Sequence, residues 1–146
     1  MKLVKSIIGG IAGSVALNLL HETVKQFDNE APRVDLVGEE GLNKVLTKTG
    51  IEPLHGNSLY AATLAGDLLS NALYYSLIGI GKKKHLLTRG ILYGLAAGAG
   101  ALTLTEPMGL RDAPVTRTNK TKVMTVGYYL FGGIVAALTI KAMKTK

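Results

Sequence analysis

Cysteine is absent from the chain. Its absence excludes disulfides, thiolate metal sites and a cysteine nucleophile. Tryptophan is absent too, so an interfacial aromatic belt falls to tyrosines, with Tyr60, Tyr93, Tyr128 and Tyr129 the candidates. There is no GxSxG elbow, Walker A loop or HExxH pair, and Gly9-Gly10 lacks the strand-then-helix setting of a phosphate loop. On these grounds we expect no catalytic residue, metal site or cofactor.

Acidic residues are missing in a patterned way. Residues 1–5, 82–89 and 141–146 hold Lys2, Lys5, Lys82, Lys83, Lys84, Arg89, Lys141, Lys144 and Lys146 but no Asp or Glu. The longer stretches 22–57 and 106–122 mix both signs. This is the positive-inside pattern, and it places both termini in the cytoplasm. The formal net charge of +7 is then topogenic. Lys82, Lys83 and Lys84 are also suited to anionic lipid head groups, and a nucleic-acid partner is not expected.

Charge is scarce within four apolar, glycine-rich segments, at about 3–21, 58–81, 86–105 and 123–143. Each is long enough for a bilayer core of about 30 Å. A soluble helix of that length would carry a charged face, and the 18 glycines suit membrane helices. The expected fold is all-α: one transmembrane domain over residues 1–146, a four-helix bundle crossing a bacterial-type inner (cell) membrane as a multi-pass protein. Outer loops occupy 22–57 and 106–122. In the first, Leu36, Val37, Leu42, Val45 and Leu46 alternate with Glu39, Glu40, Lys44 and Lys48. That spacing predicts an extracytoplasmic helix over 35–49, stopped at Gly50 and lying on the interface or capping the bundle. The short 81–85 link predicts that the second and third spans are antiparallel neighbours. An alternative has residues 1–16 cleaved as a signal peptide at Ser14-Val15-Ala16. The apolar run continuing through Leu17, Leu19 and Leu20 argues against it.

The first and third spans resemble each other. Aligning 7–19 with 92–104 pairs Gly9 with Gly94, Ala12 with Ala97, Gly13 with Gly98, Ala16 with Ala101, Leu17 with Leu102 and Leu19 with Leu104. The match suggests duplication of a two-helix hairpin, as in parallel-repeat membrane folds. Both copies carry GxxxG, at Gly9–Gly13 and Gly94–Gly98, and small residues at that spacing let helix backbones approach closely. The partner ridge lies within the chain or on another chain, in a homo-oligomer or larger membrane complex. The second span has its own small ridge, Ala62, Gly66 and Ser70.

Asp67 stands near the middle of the second span. An ionisable group there costs about 2.5–3.5 kcal/mol or more to insert. Thr63, Asp67, Ser70, Asn71 and Tyr74 share one helical stripe. Gly13/Ser14, Gly98 and Gly132/Gly133 fall at nearly the same depth, leaving room for backbone approach or for water beside the carboxylate. At the outer mouth a second constellation gathers Asn18, His21, Glu22, His55, Glu106 and Asp112.

The residues assign no activity. They favour a non-enzymatic accessory or structural membrane component in which a protonated Asp67 clasps the bundle. One alternative is a small ion or solute channel, or a proton-coupled transporter, with Asp67 as its site. Another is a lipid-acting enzyme at the outer interface, with His21, Glu22 or Glu106 as acid or base.

Overall fold

The computed structural model describes residues 2–143. Lys144 and Lys146 of the basic carboxy-terminal segment lie outside the described residues. Six α-helices follow in order: α1 (Lys2–Val24), α2 (Val34–Lys48), α3 (Gly56–Ser76), α4 (Leu86–Thr103), α5 (Ala113–Thr116) and α6 (Asn119–Ala142). Two 3-10 turns, Leu77–Gly79 and Lys83–His85, join α3 to α4. Among the described residues there is no strand.

Three helical stretches are long and apolar enough to cross a membrane: Lys2–Val24, Lys83–Thr103 and Asn119–Ala142. The fourth expected span, α3, has 21 residues but falls outside that set, because Asn57, Ser58, Asp67, Ser70 and Asn71 dilute its leucines and alanines. The helix stops at Ser76 rather than at residue 81. At the other extreme α6 starts before its apolar run. Thr118 caps it, its side chain accepting from the Thr121 N–H at 3.0 Å, so polar residues 119–122 join the helix.

α1 and α4 turn mostly small or polar residues inward, with Leu17 and Leu86 the large exceptions, and expose large apolar ones. α1 buries Ser6, Gly9, Gly10, Gly13, Ser14, Asn18 and His21 while exposing Leu3, Val4, Ile7, Ile8, Ile11, Val15 and Leu19. α4 buries Gly90, Gly94 and Gly98 and exposes Leu87, Leu92 and Leu95. In water this arrangement would waste the hydrophobic effect, since a soluble helix buries its large apolar face. Where lipid is the solvent, close van der Waals packing of small residues drives helix association instead.

The packing order follows from those glycines. α1 packs against both α3 and α6, and α6 packs against both α1 and α4. A Cβ added at Gly13 would lie 2.8 Å from the Ala136 methyl, and one at Gly94 or Gly98 would lie 2.7 Å from the Cα of Leu130 or Val126. Gly9 faces Ile140, and Gly10 abuts the Ala72 carbonyl of α3. Gly9–Gly13 and Gly94–Gly98 therefore both lie against α6 of the same chain.

Several sequence expectations change at this level. The 81–85 link does not pack α3 along α4. The two helices touch through Tyr74, whose hydroxyl donates to the Tyr93 carbonyl at 2.8 Å, while the glycine face of α4 is taken by α6. Of the two uses expected of the glycines level with Asp67, backbone approach or room for water, Gly13 and Gly132 serve the first, their backbones meeting beside Tyr75. The tyrosines do not form an outward belt. Tyr128 is buried in the core cluster and Tyr93 packs against it.

The end opposite the lysines is a cap. The expected outer helix is present as α2, one residue displaced, and Gly50 ends it with φ 79°, a left-handed conformation that glycine adopts without cost. Asn43 exchanges two 2.9 Å hydrogen bonds with the Leu54 backbone. The second loop is stitched to the first. Arg117 donates to the carbonyls of Asn29 and Ala31, the Thr121 hydroxyl donates to the Glu30 carbonyl, and the Lys44 ammonium donates to the Met108 carbonyl.

Candidate functional site

Beneath that cap lies a cavity of about 240 Å³. α1 supplies Leu17, Asn18, His21 and Glu22. Val34, Asp35, Gly38 and Leu42 of α2 form the roof, and Tyr128 and Tyr129 of α6 a wall. The facing side of α3 runs from Tyr60 through Thr63, Gly66 and Asp67 to Ser70. The cavity unites residues that the sequence placed in two groups, the intramembrane stripe and the outer mouth.

Helical repeat explains the assembly. Asn18 and His21 stand one turn apart on the buried face of α1, as do Thr63 and Asp67 on α3. The small ridge Ala62, Gly66 and Ser70 borders the cavity rather than packing on a helix, and a Cβ at Gly66 would meet nothing within 4 Å. No α4 residue lines the cavity, and Gly66 and Ser70 are exposed. The cleft between α3 and α6 is therefore open on the side away from α1.

Asp67 is partly buried. Its Oδ1 accepts from the Asn71 amide at 2.9 Å, and Asn18 of α1 lies within hydrogen-bonding reach. Among the described residues, no ion pair includes it. Glu22 and Asp35 are surrounded differently. Glu22 accepts from Lys25 at 2.8 Å and from the Tyr60 hydroxyl at 2.6 Å. Asp35 takes three bonds from Arg33, at 2.9, 3.2 and 2.7 Å, and lies 3.4 Å from Lys25.

Burial disfavours the charged form of Asp35, yet His21 and Arg33 beside it, with the charges of Arg33 and Lys25, hold its carboxyl well below the usual carboxylate range. Burial likewise opposes the charge on Lys25, but its bond to Glu22 and the charges of Asp35 and Glu22 raise it. The Asp35 bonds raise Arg33 further.

His21 sits between the two acids, Nδ1 at 3.4 Å from Glu22 and Nε2 at 3.5 Å from Asp35. At that distance Nε2 makes no hydrogen bond. Two residues that line the cavity, Thr63 and Tyr128, have fully buried hydroxyls with no hydrogen-bond partner among the described residues. His21, Thr63 and Tyr128 are only 5%, 7% and 5% exposed.

The remaining sequence candidates lie elsewhere. His55 and Glu106 are exposed and absent from the cavity wall. Asp112 accepts from Thr116 near α5. Tyr74 is directed toward Tyr93. Sequence reasoning missed the parts of Asp35, Tyr60 and Tyr128. Asp35 carried one signal, an acid in the first turn of a helix two residues after Arg33, which marks a local pair but not a cavity.

The fold and site together define a helical protein with three membrane-length apolar stretches and, under a cap, a mainly apolar cavity that a few ionisable side chains border. The chain matches no protein-family model, no curated protein and no solved structure.

Proposed function

We propose that this is a multi-pass membrane protein with four spans and both termini cytoplasmic, and that it passes a small solute or cation through the outer cavity with Asp67 as its site. The observation that carries this reading is that Asp67, an ionisable residue of α3 without an ion pair among the described residues, lines the cavity under the cap. An intramembrane ionisable residue that faces a cavity is by default a pathway residue.

The accessory reading needs Asp67 as the clasp of the bundle. Other residues already do that work. The Ser14 hydroxyl donates to the Leu68 carbonyl at 2.8 Å, and the Tyr75 hydroxyl donates to the Tyr129 carbonyl at 2.8 Å. The bond from Asn71 to Asp67 stays within α3. An enzyme using His21 with Glu106 has no support, because the two do not share the cavity.

At the basic end, Lys2, Lys5, Lys82 and Lys83 border a groove floored by Leu3, Leu77 and Ile80. This supports the expected contact of the cytoplasmic face with anionic lipid head groups. With both GxxxG ridges occupied by α6, assembly of copies would have to use the leucine-rich outer faces.

The test is flux in proteoliposomes. Wild type is expected to carry a pH-dependent current or dye response. Asp67→Asn, nearly isosteric, should lower it about tenfold or more while keeping the melting temperature. Unchanged flux in Asp67→Asn sinks the assignment. A silent wild type whose Asp67→Leu variant is strongly destabilised would return Asp67 to the clasp role.

A further inference from the structure

We infer that the groove at the basic end binds one anionic phospholipid, its phosphate among the groove lysines and the start of an acyl chain on the apolar floor. This rests on the proposed contact of that end with anionic lipid, and turns a general attraction into a site with its own residues. α1 contributes Lys2 and Lys5, one turn apart, and the link from α3 to α4 contributes Lys82 and Lys83. Lys84, which the sequence groups with its neighbours, does not line the groove.

The link is held in place against the first turns of α1. Gly79 abuts Ser6. From α4, the Arg89 guanidinium donates to the Ile78 carbonyl at 2.8 Å and to the Lys82 carbonyl at 3.0 Å. Lysines from two distant parts of the chain thus meet at one groove on a fixed backbone.

Charge and floor together choose the occupant. Residues 1–21, 68–105 and 113–146 contain no Asp or Glu, so the charged side chains at this end of the bundle are basic and attract an anion. Leu3, Leu77 and Ile80 line the same groove and are exposed, an apolar surface that a free phosphate would leave uncovered. At about 880 Å³, the groove falls in the upper part of the ~300–1,000 Å³ of ligand sites, more than a phosphate fills. A phospholipid brings phosphate and hydrocarbon together at the interface where the lysines of a membrane helix meet head groups.

Native mass spectrometry of the full chain in detergent tests this, with phosphatidylglycerol and phosphatidylcholine added at equal concentration. One phosphatidylglycerol should be retained in preference to phosphatidylcholine. Lys2→Gln and Lys82→Gln should each lower that retention about fivefold, the share of one lysine near an anionic surface. Lys84→Gln should leave it within about twofold. All three lysines are exposed, so the variants keep the fold. Equal losses at Lys82 and Lys84 would overturn the site and leave only the general attraction. Displacement of the lipid by an equal concentration of glycerol phosphate, which has no chains, would overturn the phospholipid as occupant. Equal retention of the two lipids would overturn both the site and the contact with anionic lipid on which it rests.

Discussion

Asp35 and Asp67 line one cavity with opposite surroundings. Asp35 is encircled by Arg33, Lys25 and His21, so its charge is structural. Replacing it with Asn leaves the charges of Arg33 and Lys25 without the carboxylate between them, at about 1–3 kcal/mol of stability. The pH dependence has a definite sign. A carboxyl held below its unfolded pKa of about 3.9 stabilises fully above that pH, and the contribution drains as pH falls toward the native value. Lys25 is raised, so its share is complete below about 10.4 and fades as pH rises through its native value. The melting temperatures of wild type and Asp35→Asn should therefore differ by a constant amount from about pH 5 to 9 and converge below about pH 4. A gap that stays undiminished at pH 2.5 would show that Asp35 acts through shape rather than charge. Of this, only the local Arg33–Asp35 pair was legible in the sequence. His21 and Asp35 are brought together by the path of residues 25–33, which hydrophobic periodicity does not encode.

Among the helices, period and composition were enough to place α2 within one residue and to locate α1, α4 and α6. They did not give the neighbours. A short link favours adjacency, but α4 carries Gly90, Gly94 and Gly98 on one face, and the face that admits such close approach is α6. Where two backbones touch, added volume cannot be absorbed. Gly94→Leu should cost about 1–3 kcal/mol or more, seen as a lower melting temperature in detergent and poorer recovery of folded protein. Gly66→Ala is the contrast. Its Cβ meets open space, and alanine adds up to about 1 kcal/mol of helix propensity. Were both variants to melt alike, the glycine ridges would not be what orders the bundle.

At the scale of the whole molecule, the proposed four-span reading turns on α3. Its composition is too polar for the apolar measure that α1, the α4 stretch and α6 satisfy. On the proposed membrane reading, packing supports α3 as the fourth span. α3 runs antiparallel to α1 along its length. Tyr60 bonds Glu22 near the capped end, Ser14 bonds Leu68 in the middle, and Gly79 abuts Ser6 at the basic end. At about 1.5 Å per residue, its 21 residues reach roughly 31 Å, the depth of a hydrocarbon core. If α1 spans, α3 cannot lie on one surface without breaking those contacts. Its polar groups need not face lipid, since Thr63 and Asn71 are buried and Asp67 lines the cavity. The missing cysteines make the test clean. Asn57→Cys and Lys83→Cys each supply the chain's sole thiol, at the two ends of α3 and its turn. In sealed vesicles a membrane-impermeant maleimide should reach Asn57→Cys from outside and Lys83→Cys only after the membrane is opened. Labelling of both from the same side would mean three spans, and would take with it a cavity set below the outer surface.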